Sequence, residues 1–211
     1  MLALVSLFNY MDRYGISILV EPMKAELNLT DTQIGILTGF AFSLTYGLFG
    51  IPLGRLADTQ NRVKLPSACL AVWSTATALM GAATNFVQLA LARVFVGIGE
   101  AGGTPSSNSI IGDYYAPEVR TRGLSLFSLG STVGATFGIG LVGILADQVG
   151  WRMTFVYMGV PGLLVAVLFL LTVQEPPRGR FQQSVLPSND KWTDGVRTVL
   201  TVKTMRHILI G

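Results

Sequence analysis

The sequence predicts an all-α membrane protein whose six transmembrane helices form a 3+3 inverted repeat. Half of the 211 residues are hydrophobic and 13% are charged, whereas about a quarter of the residues in a typical soluble domain carry charge. Six apolar stretches are long enough to cross a bilayer, which takes about 20 residues. Basic residues alternate between the loops that join these stretches. Composition, stretch length and charge placement therefore indicate the same fold class.

The six apolar stretches leave little sequence for a soluble domain. They cover residues 2–20, 32–57, 64–84, 86–113, 121–146 and 152–173. The first stretch is not typical of a signal peptide, because it lacks a basic n-region and holds Asp12 and Arg13 where an apolar core belongs. We interpret it as a retained helix. Cys69 is the only cysteine, so no intrachain disulfide can form.

Local signals predict where helices begin and how they pack. Thr30 and Gln33 have the spacing of a capping box at the start of the second stretch, and Pro22 is expected in the loop before it. Glycines recur every four residues in the fifth stretch, at Gly130, Gly134 and Gly138. Small residues at this spacing favour close approach of a neighbouring helix.

The distribution of basic residues predicts the orientation. Eleven of the fifteen Lys and Arg residues fall on one side of the membrane, namely Arg55, Arg62, Lys64, Arg120, Arg122, Arg178, Arg180, Lys191, Arg197, Lys203 and Arg206. Lys24 and Arg152 fall on the other side. The positive-inside rule then places the N-terminus, the second and fourth loops and the tail in the cytoplasm. The predicted location is the cytoplasmic (inner) membrane. The formal net charge of +3 is too small to indicate a nucleic-acid partner.

A faint internal repeat predicts the arrangement of the helices. Residues 49–58 read FGIPLGRLAD and residues 137–147 read FGIGLVGILAD, at an offset of 88 before one inserted residue. The same offset of 88 relates Asp12 to Glu100. Because three stretches separate the copies, the second copy must cross the membrane upside down, as in the 3+3 repeats of known transporters. The alternative is chance similarity between helices rich in Gly, Leu and Ala.

Charged residues in the middle of two stretches predict the functional site. Asp12, Arg13 and Glu100, with Asn9 on the same helix face as Asp12 and Arg13, are expected to meet near the bilayer midplane, where each charge costs about 2.5–3.5 kcal/mol. Burial favours the neutral carboxylic acid and a nearby guanidinium favours the carboxylate. The hypothesis is that protonation of Asp12 or Glu100 releases Arg13 from an ion pair. The alternative is a static ion pair that fixes helix packing.

The GIGEAG of residues 97–102 fits the glycine pattern of dinucleotide-binding enzymes, but its flanks are apolar helical stretches and not a βαβ unit. We therefore predict close helix packing there and no cofactor or metal site. His207, the only histidine, lies in the tail, and no nucleophile–base cluster is evident. A membrane enzyme that acts on lipid is accordingly a weak alternative.

Charges after the second and fourth stretches predict a conformational latch. Asp58 ends a helix, where the dipole disfavours an anion, so it is expected to pair with Arg62 or with another helix. Asp113, Glu118, Arg120 and Arg122 occupy the equivalent place after the fourth stretch. The alternative is that these are solvated charges that set the topology.

Taken together, these segments resemble the N-terminal half of a major facilitator superfamily transporter, and most closely its bacterial spinster-like members. The segments that carry the resemblance are NYMDRYGIS (9–17), residues 29–58, GRLADTQNRVK (54–64), VGIGEAGGTPSSNSIIGDYY (96–115), the Gly150–Trp151–Arg152 start of the sixth stretch and QEPPRG (174–179). Asn61 replaces a glycine of the loop motif, and a proline common before Val133 is absent. The fifth stretch also lacks the Gly-Pro signature of drug antiporters.

The resemblance implies solute transport by alternating access that is coupled to protons, with Asp12, Arg13 and Glu100 at the charged positions of that family. The predicted latch comprises Gly54, Asp58, Arg62, Arg93, Asp113 and Arg120. The expected partners are protons, membrane lipids and a small-molecule or lipid-like substrate, since eukaryotic spinster members are associated with lysolipids and sphingoid lipids.

The expected organisation is a six-helix bundle (1–174), a cytoplasmic linker (175–198) and the start of a truncated seventh helix (199–211). A full cavity would need a C-terminal half or a second copy of this chain. Three arrangements stay open: a homodimer, a pair with a separate C-terminal chain, and a truncated product. A non-transporting assembly or interaction module is the alternative function.

Overall fold

The computed structural model describes residues 1–181, and this part of the chain contains helices and no β-strand. The helices are α1 (Leu2–Leu27), α2 (Asp31–Gly35), a π-helical turn (Ile36–Phe40), α3 (Ala41–Thr59), α4 (Lys64–Met80), α5 (Phe86–Ala101), α6 (Gly103–Tyr114) and α7 (Arg120–Thr172). The predicted seventh helix at 199–211, and the predicted linker beyond residue 181, lie outside the described residues.

Within residues 1–181, three helical stretches are long and apolar enough to cross a membrane by length and composition alone: Asp31–Thr59, Phe86–Tyr114 and Arg120–Thr172. The α7 helix has 53 residues and contains two helices that meet at Gly150, whose φ of 76° and ψ of 165° are not helical. Glycine takes such a positive φ without steric cost. The all-helical, membrane-like class is thus confirmed, and the six-span 3+3 arrangement stays a prediction.

Helix ends follow the local sequence in most places. The predicted capping box at Thr30 and Gln33 is formed. The α5 helix ends at Ala101, which fits the proline four residues later, because Pro105 has no N–H to donate to the Ala101 carbonyl. The expected loop at Pro22 is wrong, since α1 continues through it to Leu27 and ends where Asn28 adopts a left-handed conformation with φ 51°.

The glycines of the fifth stretch bring the first part of α7 against α1. A Cβ atom at Gly130 would overlap the carbonyl oxygen of Ala3, and one at Gly134 would overlap that of Leu7. A Cβ at Gly138 would lie 2.8 Å from a side-chain carbon of Met11. Partners therefore advance by four residues together along both helices, which run parallel. The predicted close-packing face is confirmed.

We expect Gly134→Ala to lower the free energy of unfolding by about 1–3 kcal/mol, the usual cost of overpacking. The added methyl group would overlap backbone, which cannot rotate away as a side chain can. Gly140→Ala in the same helix is the matched control, because nothing lies within 4 Å of the added atom and alanine favours helix. Chemical unfolding of the purified protein in detergent measures both, and equal stabilities would contradict the packing.

Helices α3, α4 and α5 also approach closely through small residues. A Cβ at Gly97 would overlap the hydroxyl of Thr45 in α3, and one at Gly99 would lie 2.8 Å from the Cβ of Trp73 in α4. Trp73 itself is completely buried. Gly97 and Gly99 of the GIGEAG segment therefore serve close helix packing, and the segment is helical up to Ala101 where the dinucleotide pattern needs a strand before it.

Candidate functional site

Four charged side chains from two helices form one buried group, which we call the charge cluster: Asp12 and Arg13 of α1, and Arg93 and Glu100 of α5. Glu100 is fully buried, Arg93 is 2% exposed and Asp12 is 3% exposed. The Arg13 side chain is 25% exposed. Arg13 is therefore the member of the cluster that a solute can reach.

An ion pair across the two helices joins Arg13 to Glu100. The Arg13 Nη2 lies 2.8 Å from Glu100 Oε2, and Arg13 Nε donates to the same oxygen at 3.2 Å. The amide of Asn9, one helical turn before Arg13, faces the same carboxylate. Asn9, Arg13 and Glu100 are thus brought together in the way the sequence predicts.

Asp12 makes a different contact from the one expected. Its Oδ2 accepts a hydrogen bond of 3.2 Å from the Thr77 hydroxyl of α4, while its buried Oδ1 has no hydrogen-bond partner among residues 1–181. Adjacent residues on a helix diverge by about 100°, so Asp12 points toward α4 while Arg13 points toward α5. Arg13 is therefore bonded to Glu100 and is not shared between the two carboxylates.

Arg93 belongs with the charge cluster, although it was predicted to be a latch residue. Its electrostatic interactions are with Glu100, Asp12 and Arg13. Its guanidinium lies 4.7 Å from the centre of the Phe42 ring. Arg93 is two turns from Glu100 along α5, so the two interact through space and not as a direct pair.

Aromatic rings from two helices surround Arg13, and sequence reasoning missed them. The guanidinium lies 4.8 Å from the ring centre of Tyr46, 4.9 Å from that of Phe42 and 5.4 Å from that of Tyr10. Phe42 and Tyr46 are spaced i, i+4 in α3, a signal that predicts a shared helix face. The rings hold the cation by cation–π attraction without neutralising it.

The composition of the charge cluster determines what it can do. With two carboxylates and two guanidiniums ionised, the cluster is electrically neutral, and each proton that a carboxylate takes up leaves one positive charge in excess. The site can therefore convert a proton into a change of charge next to the accessible Arg13. Among the described residues no group of three or more His, Cys, Asp or Glu side chains could hold a metal ion.

A second ionic group closes the end of the bundle near Met1. Arg62, 3% exposed, contacts Asp113 of α6 at 2.5 Å and donates to the Pro176 carbonyl at 2.8 Å. Glu175 lies 3.7 Å from the same guanidinium. The expected pair of Arg62 with Asp58 is wrong, because Asp58 is exposed and Arg62 reaches across to the end of α6.

The other predicted latch residues lie around this group. Arg120 donates to the Gly112 carbonyl at 2.8 Å, next to Asp113. Gly54 faces Pro105, with 4.0 Å between its ideal Cβ position and the proline side chain, so α3 and α6 approach there. The Asp58 carbonyl accepts a hydrogen bond from Arg178. These residues share one end of the bundle, whereas Arg93 does not.

A third group joins three helices at the opposite end of the bundle, where α1 ends. Glu26 accepts a hydrogen bond from the Trp151 indole at 2.6 Å and lies 2.8 Å from Arg152. Arg152 also donates to the carbonyls of Gly81 and Ala83 just after α4, at 3.1 and 2.6 Å. The start of the second helix in α7 is thereby tied to the ends of α1 and α4.

We expect this third group to stabilise the fold at neutral pH and to fail in acid. The hydrogen bond from Trp151, followed by the interaction with Arg152, lowers the pKa of Glu26 from its ordinary value of 4.5. A depressed pKa contributes stability above the unfolded value, and that contribution is lost as the pH falls through the folded value. The melting temperature of the native protein should therefore be higher than that of Glu26→Gln at pH 7, and the two melting temperatures should converge below pH 4.5. A constant difference would contradict the carboxylate's role.

Comparison with known proteins gives consistent matches along the chain. A family model described as Major Facilitator Superfamily matches residues 2–210. An "MFS-type efflux pump" of Mycolicibacterium smegmatis is 40% identical over 172 residues, which are 82% of this chain and 40% of that protein. A "probable L-galactonate transporter" of Escherichia coli is 32% identical over 79% of this chain and 37% of its own length.

A crystal structure of a bacterial homologue of the human lysosomal transporter Spinster, in an inward-facing and unoccupied conformation, superposes with a TM-score of 0.79 at 38% identity. The alignment covers 94% of this chain and 47% of that one. The chain therefore spans about 40% of the length of the two curated relatives and just under half of the structural neighbour.

Proposed function

Since the chain belongs to the major facilitator superfamily, we propose that it forms the N-terminal half of a transporter that moves a small organic anion together with protons by alternating access. The observation that carries this proposal is the Arg13–Glu100 ion pair, in which a fully buried carboxylate is bonded to a partly exposed guanidinium. Intramembrane charges of this kind are rare and mark substrate and proton paths.

The charge balance of the cluster supports coupling between protons and an anion. When Glu100 takes up a proton, Arg13 loses its counter-charge and becomes free to bind a carboxylate or phosphate from the solute. A bound anion in turn replaces Glu100 as the partner of Arg13 and favours its protonation. Proton and anion therefore stabilise each other's binding, and such coupling is reciprocal by thermodynamic necessity. The two species should move in the same direction.

Paired contacts at the two ends of the bundle support the predicted 3+3 inverted repeat. Arg152 follows Arg62 by 90 residues. Each binds a carboxylate one residue before the end of a helix, Glu26 in α1 and Asp113 in α6. Each also donates to a carbonyl just beyond a helix end. Such equivalence at opposite ends is what an inverted repeat requires.

The proposal includes an orientation and a latch. The protein is assigned to the inner membrane of the cell. By the positive-inside rule, the Met1 end, which carries Arg62 and Arg120, faces the cytoplasm. The buried contact of Arg62 with Asp113 then ties the α3–α4 loop to α6 on the cytoplasmic side. We assign Gly54, Asp58 and Arg178 to the same latch region, where they bring the neighbouring segments together.

The cavity would be completed by a C-terminal half or by a second copy of this chain. The relatives are more than twice as long, and superfamily members bind substrate between two halves. Large apolar side chains on α3 and on the first part of α7, such as Leu48, Ile51 and Phe137, are 66–71% exposed. Faces of this kind suit contact with another membrane helix or with lipid.

The test is uptake by proteoliposomes that contain the product of the chain's own gene. Radiolabelled galactonate represents the organic anions. We expect accumulation when the outside is more acidic than the inside and a loss of accumulation when a protonophore collapses the gradient. Uptake that does not change with the proton gradient would contradict proton coupling.

A lipid-like solute is the second candidate, supported by the similarity to the spinster homologue and by the aromatic rings around Arg13. A fluorescent lysophospholipid in the same vesicles separates the two. Transport of the lysophospholipid without galactonate would favour this candidate over the organic anion.

A further inference from the structure

An apolar groove runs along the outside of the bundle between α4 and the second helix of α7. Its volume is about 440 Å³. The residues that line it are Lys64, Ser67, Ala68, Ala71, Leu163, Ala166, Val167 and Leu170. We call its four small residues, Ser67, Ala68, Ala71 and Ala166, the floor of the groove. Lys64 is the charged residue of this lining.

The groove runs along the membrane normal and covers about two thirds of the depth of one lipid leaflet. Lys64 and Ala71 are seven residues apart on α4, as are Leu163 and Leu170 on α7, which corresponds to about 10 Å along each helix. Half of the hydrocarbon core measures about 15 Å. Lys64 begins α4 and Leu170 lies two residues before the end of α7, so both walls start at the Met1 end and descend into the same leaflet.

Within residues 1–181, the charge at the mouth of the groove has no salt-bridge partner. Lys64 is exposed, and its ammonium forms no salt bridge with any side chain of residues 1–181. The nearby Arg62, by contrast, is buried against Asp113. A lysine at a helix end can extend to the membrane surface while its methylene groups stay on the apolar wall. An anionic group at that level complements this cation.

We propose that the groove binds one phospholipid that has an anionic headgroup. One acyl chain of this lipid lies along Ala68, Ala71 and Ala166, and Lys64 contacts the headgroup. A chain that spans a membrane is surrounded by lipid, and the combination of an apolar floor with a single cation at the surface end matches both parts of such a molecule. This site is separate from the charge cluster and does not depend on the proposed transport activity.

Native mass spectrometry of the delipidated full chain tests the proposal, with phosphatidylglycerol and phosphatidylcholine of identical acyl chains as probes. One basic residue near an anionic surface contributes an affinity factor of about fivefold. We therefore expect phosphatidylglycerol to bind about fivefold more tightly than phosphatidylcholine, and Lys64→Gln to remove this preference. Ala68→Phe, at an exposed position, should fill the groove and weaken both lipids.

Two matched controls separate the site from general effects. Arg122→Gln removes an exposed charge outside the groove, and Leu164→Phe adds a ring on α7 beside it. Both should bind lipid as the native protein does. Val167→Phe fills the groove from the opposite wall and replaces Ala68→Phe if that variant does not fold. The proposal would be overturned if the headgroup preference remained in Lys64→Gln, or if lipid binding were unchanged in the groove-filling variant. It would also be overturned if the native chain formed a dimer that the groove-filling variant dissociated, because the occupant would then be a second copy of the chain.

Discussion

We expect Glu100→Gln to abolish the pH dependence of solute uptake. Glutamine has nearly the shape of glutamic acid but cannot take up a proton, so with Asp12 ionised the charge cluster of the variant carries one positive charge in excess, and position 100 no longer changes that charge with pH. A coupling free energy of about 1–3 kcal/mol, which corresponds to about 5–150-fold in affinity, would be lost. Uptake into proteoliposomes across a series of external pH values measures this, and the pH profile should become flat.

The control for this variant is Glu21→Gln, which makes the same chemical change at an exposed position of α1. Its pH profile should match that of the native protein. The static-pair alternative makes a different prediction, because it expects Glu100→Gln to lower stability and leave the pH profile unchanged. Measuring the melting temperature alongside uptake therefore distinguishes the two. A retained pH profile would rule out Glu100 as the coupling group.

The second large effect is expected for Arg62→Ala, which should lower the free energy of unfolding by about 3–5 kcal/mol. The Asp113 side chain is 11% exposed, so loss of Arg62 would leave its carboxylate buried without a counter-charge. The carbonyl of Pro176 and the hydroxyl of Ser109 would lose a donor as well. Chemical unfolding of the purified protein in detergent measures the change.

Two comparisons test the cause of that loss. Arg122→Ala removes an exposed arginine and should change stability by about 0.5 kcal/mol or less. Adding Asp113→Asn to Arg62→Ala removes the stranded charge and should recover part of the loss. If the double variant is no more stable than Arg62→Ala, the penalty does not come from the unpaired carboxylate.

The membrane-helix architecture could be predicted from sequence because the bilayer imposes simple requirements. A spanning helix must be apolar over about 20 residues, and helices that touch closely need small residues such as Gly130 and Gly134. Each of these signals lies within one segment of the sequence, so it can be recognised without an alignment. The predicted loop at Pro22 is wrong because a proline is expected to end a helix, whereas α1 continues through Pro22 to Leu27.

The charge cluster was predictable in part, for a physical reason. Asp12, Arg13 and Glu100 are conspicuous because charge in an apolar stretch is costly. The partners that contact them are ordinary membrane residues: Thr77, Phe42 and Tyr46 become part of the site through helix rotation and tilt, which sequence periodicity does not determine. The predicted pair of Asp58 and Arg62 illustrates the same limit. The two residues are close in sequence, but Arg62 contacts Asp113 of α6 instead.

The ion pair between α1 and α5 also has a consequence for biosynthesis. Arg13 and Glu100 are 87 residues apart, so at about 5–20 residues per second the ribosome makes Glu100 roughly 4–17 s after Arg13. During that interval a helix with two central charges would have to enter lipid at a cost of about 2.5–3.5 kcal/mol for each charge. In the proposed six-span arrangement, the α1 helix would therefore depend on the insertion machinery until its counter-charge has been synthesised.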